Sequence, residues 1–209
     1  MKPGGVVSLK KIRLVDYFTK NRLILLMFFV FLIGFTVSSI SFSGSKAAQI
    51  SDGIFKDFIS DRQGTSFIQI VFSVLIKYLI VYLAFFAAGA SATGVVFVPL
   101  LCCCLGLYYG TLAAYSYASF AIRGIAFNSV IVIPAALIFT LCILFVSKES
   151  FVFSSVILRL LLPKSKPVNA SGEFKRYSAK FLLLSVFTLL ASIADAVVSV
   201  SFLNYFTFI

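Results

Sequence analysis

The order of apolar and polar positions divides the chain into long apolar runs separated by short polar breaks. A helix that crosses a membrane needs about 20 mostly apolar residues. Five runs reach that length, at about 23–42, 67–88, 95–118, 125–146 and 181–203. The small residues of "GASATG" separate the second run from the third, and Arg123 separates the third from the fourth. Pro134 lies inside the fourth run and is expected to kink it. The pattern predicts an all-α integral membrane protein, a single membrane domain (1–209) built as a bundle of five transmembrane helices.

Two shorter apolar segments are amphipathic or too short to span. The segment 50–62 places one set of apolar side chains on one helical face and most of its charges on the other. The apolar residues of that face are Ile50, Ile54, Phe58 and Ile59. We expect this outer helix to lie on the membrane or to cap the bundle. Residues 151–162 are too short to span and are predicted to form a second interfacial helix on the cytoplasmic side, within the cytoplasmic segment 147–180.

Basic residues are concentrated in two parts of the chain. Of the 18 Lys and Arg residues, six lie in 1–22 and seven in 147–180, whereas the remaining connections hold four. Because connections on the cytoplasmic side carry the excess of Lys and Arg, we expect the N-terminus inside a bacterial cytoplasmic membrane and the C-terminus outside. The basic flank is longer than that of a signal peptide, so the first run is expected to stay as a span.

The composition agrees with this class of protein. The chain of 209 residues is 61% hydrophobic and only 12% charged, far from the values of an ordinary soluble domain. The net charge of +11 suits anionic lipid headgroups. There is no Trp and no aromatic platform on a basic groove. Membrane lipids are therefore expected partners, and nucleic acid is not.

The third run carries a stripe of small residues at every fourth position. These residues are Gly106, Gly110, Ala114 and Ala118. Small residues let helix backbones approach closely in a membrane. The stripe therefore predicts a tight helix contact, either inside the bundle or with a partner chain, which includes a second copy in a homo-oligomer.

Two charged residues, Lys77 and Asp195, lie inside predicted spans. Either one alone costs roughly 2.5–3.5 kcal/mol at the centre of a membrane helix, so such residues usually find a partner. At 1.5 Å per residue, they lie about 15 Å and about 12 Å from the outer ends of their spans. We expect them to pair if the second and fifth spans are neighbours. The alternative is that Lys77 reaches the headgroups while Asp195 is protonated or bonded to serines.

The residues that usually carry catalysis are scarce. The chain has no His, which excludes Ser-His-Asp and Cys-His chemistry and His-based metal sites. The spans offer one acid, whereas an aspartyl protease needs two. Cys102, Cys103, Cys104 and Cys142 lie in apolar runs and are interpreted as small packing residues, with no disulfide or metal. The outer acids, interleaved with Lys56 and Arg62, are interpreted as a solvated helix face. We expect no enzyme activity and no cofactor.

Several motifs resemble the stage II sporulation protein M family of bacterial membrane proteins over roughly 15–205. They are "YFTKNRLILLMFFVFLIGFTVSS", "FFAAGASATGVVFVPLL", "LGLYYGTLAAYS", "GIAFNSVIVIPAALI" and "LLASIADAVVSVSFLNYF". Asp195 occupies the place of an acid that often follows an Ile-Ala step in the family. The chain departs from the family in having Asp there rather than Glu, and Phe127-Asn128-Ser129 where Pro-Gln-Asn is frequent.

The resemblance implies a non-enzymatic scaffold. The family member assembles with a cell-wall amidase and a lytic transglycosylase and localises them at the septum during forespore engulfment. The alternative is a small-solute transporter or permease subunit, with a polar site at Lys77 and Asp195. A water-accessible cavity that reaches Lys77 would favour the transporter. A tightly packed bundle with an exposed groove of small residues would favour the scaffold.

Overall fold

The computed structural model describes residues 22–40, 45–63, 66–161 and 170–206. The helices are α1 Arg22–Ile40, α2 Ser45–Ser60, α3 Phe67–Gly89, α4 Gly94–Phe127, α5 Ile133–Leu161 and α6 Ala170–Phe202. A π-helical turn, Asn128–Val132, joins α4 to α5, and a 3-10 turn, Leu203–Tyr205, follows α6. These described residues contain no strand, so the predicted all-α fold is confirmed.

Five helical stretches are long and apolar enough to cross a membrane. They are Arg22–Ile40, Phe67–Gly89, Gly94–Val132, Ala136–Leu161 and Ser171–Phe202. Large apolar side chains such as Phe29, Ile68 and Leu182 stay exposed on their outer surfaces. A surface of this kind suits hydrocarbon rather than water. The chain is a membrane protein with the five spans that its sequence predicts.

The second and last spans, α3 and α6, run antiparallel and in contact. Tyr78 of α3 donates a hydrogen bond to Asp195, and Tyr82, one turn later, donates to the carbonyl of Phe181. The bundle therefore has two ends that can be named by residues. We call the end at which α3 begins and α6 finishes the Phe67 end, and the opposite one the Gly89 end.

The predicted break between the second and third spans is confirmed at the Gly89 end. Helix α3 stops at Gly89 and α4 starts at Gly94. Ser154 Oγ donates to the carbonyl of Ser91 at 2.7 Å, which ties this turn to α5. A side chain at Gly94 would collide with the carbonyl of Ala88, so only glycine fits the turn.

The chain also reverses near Arg123, as predicted. The backbone of Ala121 has φ 49° and ψ −123° inside α4, a conformation that is typical of glycine in a tight turn. Asn128 Nδ2 donates to the carbonyl of Ala113 at 3.1 Å, although a straight helix would place these residues about 22 Å apart. Helix α4 therefore folds back at Ala121, and the fourth crossing begins there.

Pro134 acts on the helix differently from the predicted simple kink. The π-helical turn Asn128–Val132 comes directly before it, and α5 begins at Ile133. A proline ring clashes with the carbonyl four residues earlier, which here belongs to Val130. The wider turn of a π-helix removes the need for that regular hydrogen bond.

The prediction for the segment 147–180 is wrong in its local structure. Residues 151–162 do not form a separate interfacial helix, because α5 continues without a break to Leu161 and α6 already begins at Ala170. The two helices are joined across the bundle by the Lys180–Glu149 ion pair at 2.5 Å. Residues 1–21 and 162–169, with most of the predicted cytoplasmic charges, lie outside the described residues.

The small-residue stripe packs against α1 for part of its length. A Cβ built at Gly106 would collide with the carbonyl of Phe31, and one at Gly110 with that of Phe35. From the other side, a Cβ at Gly34 would collide with the carbonyl of Cys103. Beyond these glycines the stripe opens, with Ala114 half-buried and Ala118 exposed. The glycine half of the stripe thus serves the bundle itself.

Candidate functional site

Asp195 is completely buried in the middle of the bundle, and its carboxylate is held on both oxygens. Arg62 Nε donates to Oδ1 at 3.1 Å, and Arg62 Nη2 donates to Oδ2. Tyr78 Oη donates to Oδ2 at 2.7 Å, and Ser199 Oγ to Oδ1 at 3.3 Å. The bidentate Arg–carboxylate geometry is the strong form of a charge-assisted hydrogen bond. A buried carboxylate with four donor contacts needs no further partner.

Arg62 also closes the end of the helix that precedes it. Its Nη1 donates to the carbonyl of Phe58 at 2.9 Å, one of the carbonyls that a helix leaves unpaired at its last turn. The guanidinium lies 3.5 Å from the centre of the Phe58 ring, a cation–π contact. The same side chain therefore fixes both Asp195 and the end of α2.

These contacts place the end of α2 well below the Phe67 end of the bundle. Tyr78 and Asp195 lie about 16 Å and about 12 Å along their helices from that end. At the upper end of α2, Asp52 Oδ1 accepts a hydrogen bond of 2.6 Å from Tyr115, which lies two turns above Tyr108 and Tyr109 on α4. Helix α2 is therefore re-entrant: it descends along α4, and the turn after it carries Arg62 to Asp195.

Lys77 pairs with Asp61, the residue next to Arg62. The Lys77 Nζ to Asp61 Oδ2 distance is 2.5 Å, and the Lys77 side chain is 48% exposed. The predicted Lys77–Asp195 pair is therefore wrong. The second and fifth spans are neighbours, as the prediction required, but each of the two charges takes its partner from the turn that follows α2. Two adjacent residues of that turn, Asp61 and Arg62, thus compensate both charges of the spans.

The predicted apolar face of the outer helix is correct only in its second half. Phe58 and Ile59 are buried and Ile54 is half-buried, whereas Ile50 is 66% exposed. The missing contact is supplied by Phe55, whose ring lies 5.0 Å from that of Tyr115. The helix packs against α4, and the contact between Arg62 and Asp195 ties its end to the bundle. Its predicted position relative to the membrane surface stays a prediction.

The upper part of α2 is fixed by a polar contact at its surface. Lys56 Nζ lies 2.6 Å from Asp52 Oδ2, one turn away, and Tyr115 donates to the other carboxylate oxygen. The hydrogen bond from Lys56, and then that from Tyr115, lower the pKa of Asp52 below its ordinary value. The contact therefore exists at neutral pH and is lost in strong acid, as pH falls through the lowered pKa.

A groove adjoins the two ion pairs. It has a volume of about 460 Å³ and is walled by α3, α4 and the end of α2. Asp57, Asp61, Arg62 and Lys77 line its charged end, and the remaining lining is largely aliphatic and aromatic. Ile80 and Cys104 line the groove and are also exposed on the surface of the bundle. The groove therefore opens sideways between α3 and α4.

Sequence reasoning missed Arg62 because its charge suggested a solvated position. A signal was nevertheless present, since Arg62 follows Phe55 by seven residues and Phe58 by four. These intervals place all three on one helical face. Within the part of the chain that the structure describes, no three His, Cys, Asp or Glu side chains are close enough to hold a metal ion.

The comparisons with known proteins add no relative. No protein-family model matches the chain, and neither the curated proteins nor the solved structures include a match.

Proposed function

We propose that the chain is a non-enzymatic scaffold of the bacterial cytoplasmic membrane that resembles stage II sporulation protein M. In this role it recruits an amidase and a lytic transglycosylase of the cell wall to the septum during engulfment. Its N-terminus lies in the cytoplasm and its Phe67 end faces outward. The motifs and the distribution of basic residues support this orientation and role.

The observation that carries the proposal is the use of the two intramembrane charges to fix α2. A proton- or ion-coupled transporter needs a polar group that changes partners during its cycle. Asp195 is instead bound by Arg62, Tyr78 and Ser199. Such a saturated network holds one arrangement, which suits a scaffold that must present a constant surface.

The exposed side of α2 is the surface we assign to partners. Ile50, Gly53 and Lys56 are exposed along it, at the end of the bundle that we place outside the cell. Wall-hydrolysing domains lie on that side of the membrane, so α2 stands where they can contact it. The exposed Ala118, above the glycine contact with α1, adds a site for close approach of a partner's anchor helix.

Crosslinking in intact cells tests this role, followed by purification of the full chain and identification of the proteins recovered. We expect wall hydrolases with the wild-type chain and several-fold less with Ile50→Glu, which places a charge on the exposed face of α2. Tyr205→Glu serves as the control, because Tyr205 is exposed at the same end of the bundle but lies outside α2. Recovery of an ATPase without any hydrolase would contradict the scaffold.

One observation favours the second candidate, a small-solute transporter or permease subunit: the groove reaches Lys77. Cys104 lines this groove and can report on water inside it. In a chain that keeps Cys104 as its only cysteine, a membrane-impermeant thiol reagent would modify it if an aqueous path exists. Full protection of Cys104 in intact cells would remove the transporter from consideration.

A further inference from the structure

The groove between α3 and α4 has the length of a single extended alkyl chain. On α3 it is lined from Val74 to Phe85, an interval of eleven residues or about 16 Å of helix. The groove holds about 460 Å³, within the range of small-ligand pockets. One alkyl chain can therefore lie along it.

The walls of the groove select an apolar occupant over most of this length. Val81, Phe85 and Leu101 line its lower part. Ile80, which is 62% exposed, and Cys104 stand at its lateral opening. An alkyl chain can therefore enter sideways from the hydrocarbon, where a polar solute would lose its hydration.

The charged end of the groove indicates the charge of the occupant's headgroup. Arg62 is neutralised by Asp195 and Lys77 by Asp61. Asp57 also lines this end, is exposed, and has no ion-pair partner among the residues that the structure describes. The five charges sum to −1, and Tyr108 adds an aromatic wall next to them. A single positive charge complements this end.

We propose that the groove binds an amphiphilic cation, with one alkyl chain between α3 and α4 and an ammonium head beside Asp57. A phospholipid suits the groove less well, because its second chain has no matching slot and its phosphate would meet the net negative charge at this end. This binding is distinct from the scaffold role, since the alkyl chain lies between α3 and α4 and only Asp57 belongs to the exposed side of α2.

Binding of radiolabelled dodecyltrimethylammonium to the full chain in phosphatidylglycerol nanodiscs tests the proposal, with empty nanodiscs as background. We expect saturable binding of one molecule per chain. Asp57→Asn should weaken it by about fivefold, the upper range for an exposed charge pair. Asp52→Asn, the same change on the same helix outside the groove, should leave it unchanged. Ala84→Phe fills the groove and should abolish binding, whereas Ala87→Phe, on the exposed face of α3, should retain it.

Several results would overturn the proposal. Asp57→Asn and Asp52→Asn could change the binding of dodecyltrimethylammonium equally, or Ala84→Phe and Ala87→Phe could do so. Uncharged dodecanol could bind as tightly as dodecyltrimethylammonium. Tetraethylammonium, which lacks the alkyl chain, could compete for the site. Loss of saturable binding in nanodiscs that contain phosphatidylethanolamine would assign the groove to a phospholipid instead. If Ala84→Phe does not fold, a photoreactive alkylammonium on the unmodified chain decides the question: labelling at Ile80 or Cys104 supports the site, and labelling elsewhere overturns it.

Discussion

Arg62 and Asp195 are the residues on which the position of α2 depends most. Each ion is buried, so neither can turn to water when the other is removed. Arg62→Ala should destabilise the protein by about 3–5 kcal/mol, because it leaves a buried carboxylate without its counter-ion. Lys77→Ala should cost only about 0.2–1 kcal/mol, because the Lys77–Asp61 pair is partly exposed. Denaturation in detergent micelles compares the two variants.

The double variant Arg62→Met, Asp195→Leu separates charge from packing. Apolar replacement of a whole buried ion pair is often tolerated. It should therefore be more stable than Arg62→Ala. If Arg62→Ala and Lys77→Ala lower the free energy of unfolding equally, the buried ion pair is not the main contact that holds α2 in place.

Ala121 is a second residue with a distinct energetic role, because its positive φ is unusual for a residue with a side chain. Ala121→Gly should stabilise the protein by about 1 kcal/mol by relieving this conformation. Ala121→Val should destabilise it by more than that amount, because a branched side chain fits a positive φ worse. Melting temperatures of the two variants check the sign, and a destabilised glycine variant would contradict the turn.

At the level of helices, the contact between α1 and α4 depends on the absence of side chains at Gly106 and Gly110. Ser38 and Thr111 report on this contact, because their hydroxyl oxygens lie 2.5 Å apart. In a chain whose native cysteines are replaced by alanine, Ser38→Cys and Thr111→Cys should form a disulfide on mild oxidation. Gly106→Leu should prevent it by forcing the helices apart.

Ala118→Leu is the matched control for that experiment, since Ala118 belongs to the same stripe but is exposed. It should leave the disulfide yield unchanged. Equal yields with Gly106→Leu and Ala118→Leu would mean that the glycines are not what brings α1 and α4 together.

The helices also show where periodicity is informative and where it is not. Phe58 and Ile59 were placed correctly on the buried side of α2, because burial follows the 3.6-residue repeat. The depth of α2 could not be read from that repeat, since it depends on Asp195, 133 residues away. The continuation of α5 through 151–161 was missed for a similar reason. The polar residues 147–150 suggested that the helix ends there. The ion pair between Glu149 and Lys180 and the packing against α6 instead carry it on to Leu161.

For the whole molecule, the orientation of the bundle is the property that most constrains its function. Ile50 is exposed at the upper end of α2, near the Phe67 end, and Ser171 near the Gly89 end. As single cysteines, Ile50→Cys should react with an impermeant thiol reagent in intact cells. Ser171→Cys should react only after the cells are permeabilised. The opposite pattern would invert the proposed topology and remove the partner surface from the wall side.

The sequence was sufficient for the number of spans and for the two reversals, because these depend on apolar length and on the small residues between 89 and 94 and around Arg123. It was insufficient for the site. Lys77 and Asp195 were matched by depth alone, and depth does not distinguish between partners on a span and partners on a helix that descends from outside. The outer acids and Arg62 looked solvated because their neighbours in sequence are polar.

The re-entrant helix also has a consequence for how the protein is made. Arg62 emerges early in synthesis, whereas Asp195 belongs to the last span. Until that span is inserted, α2 carries an unmatched cation that favours the aqueous side. Chain order therefore requires α2 to wait outside the hydrocarbon and to dock as the final helix arrives. Completion of the last span becomes the step that commits the nascent chain to its finished form.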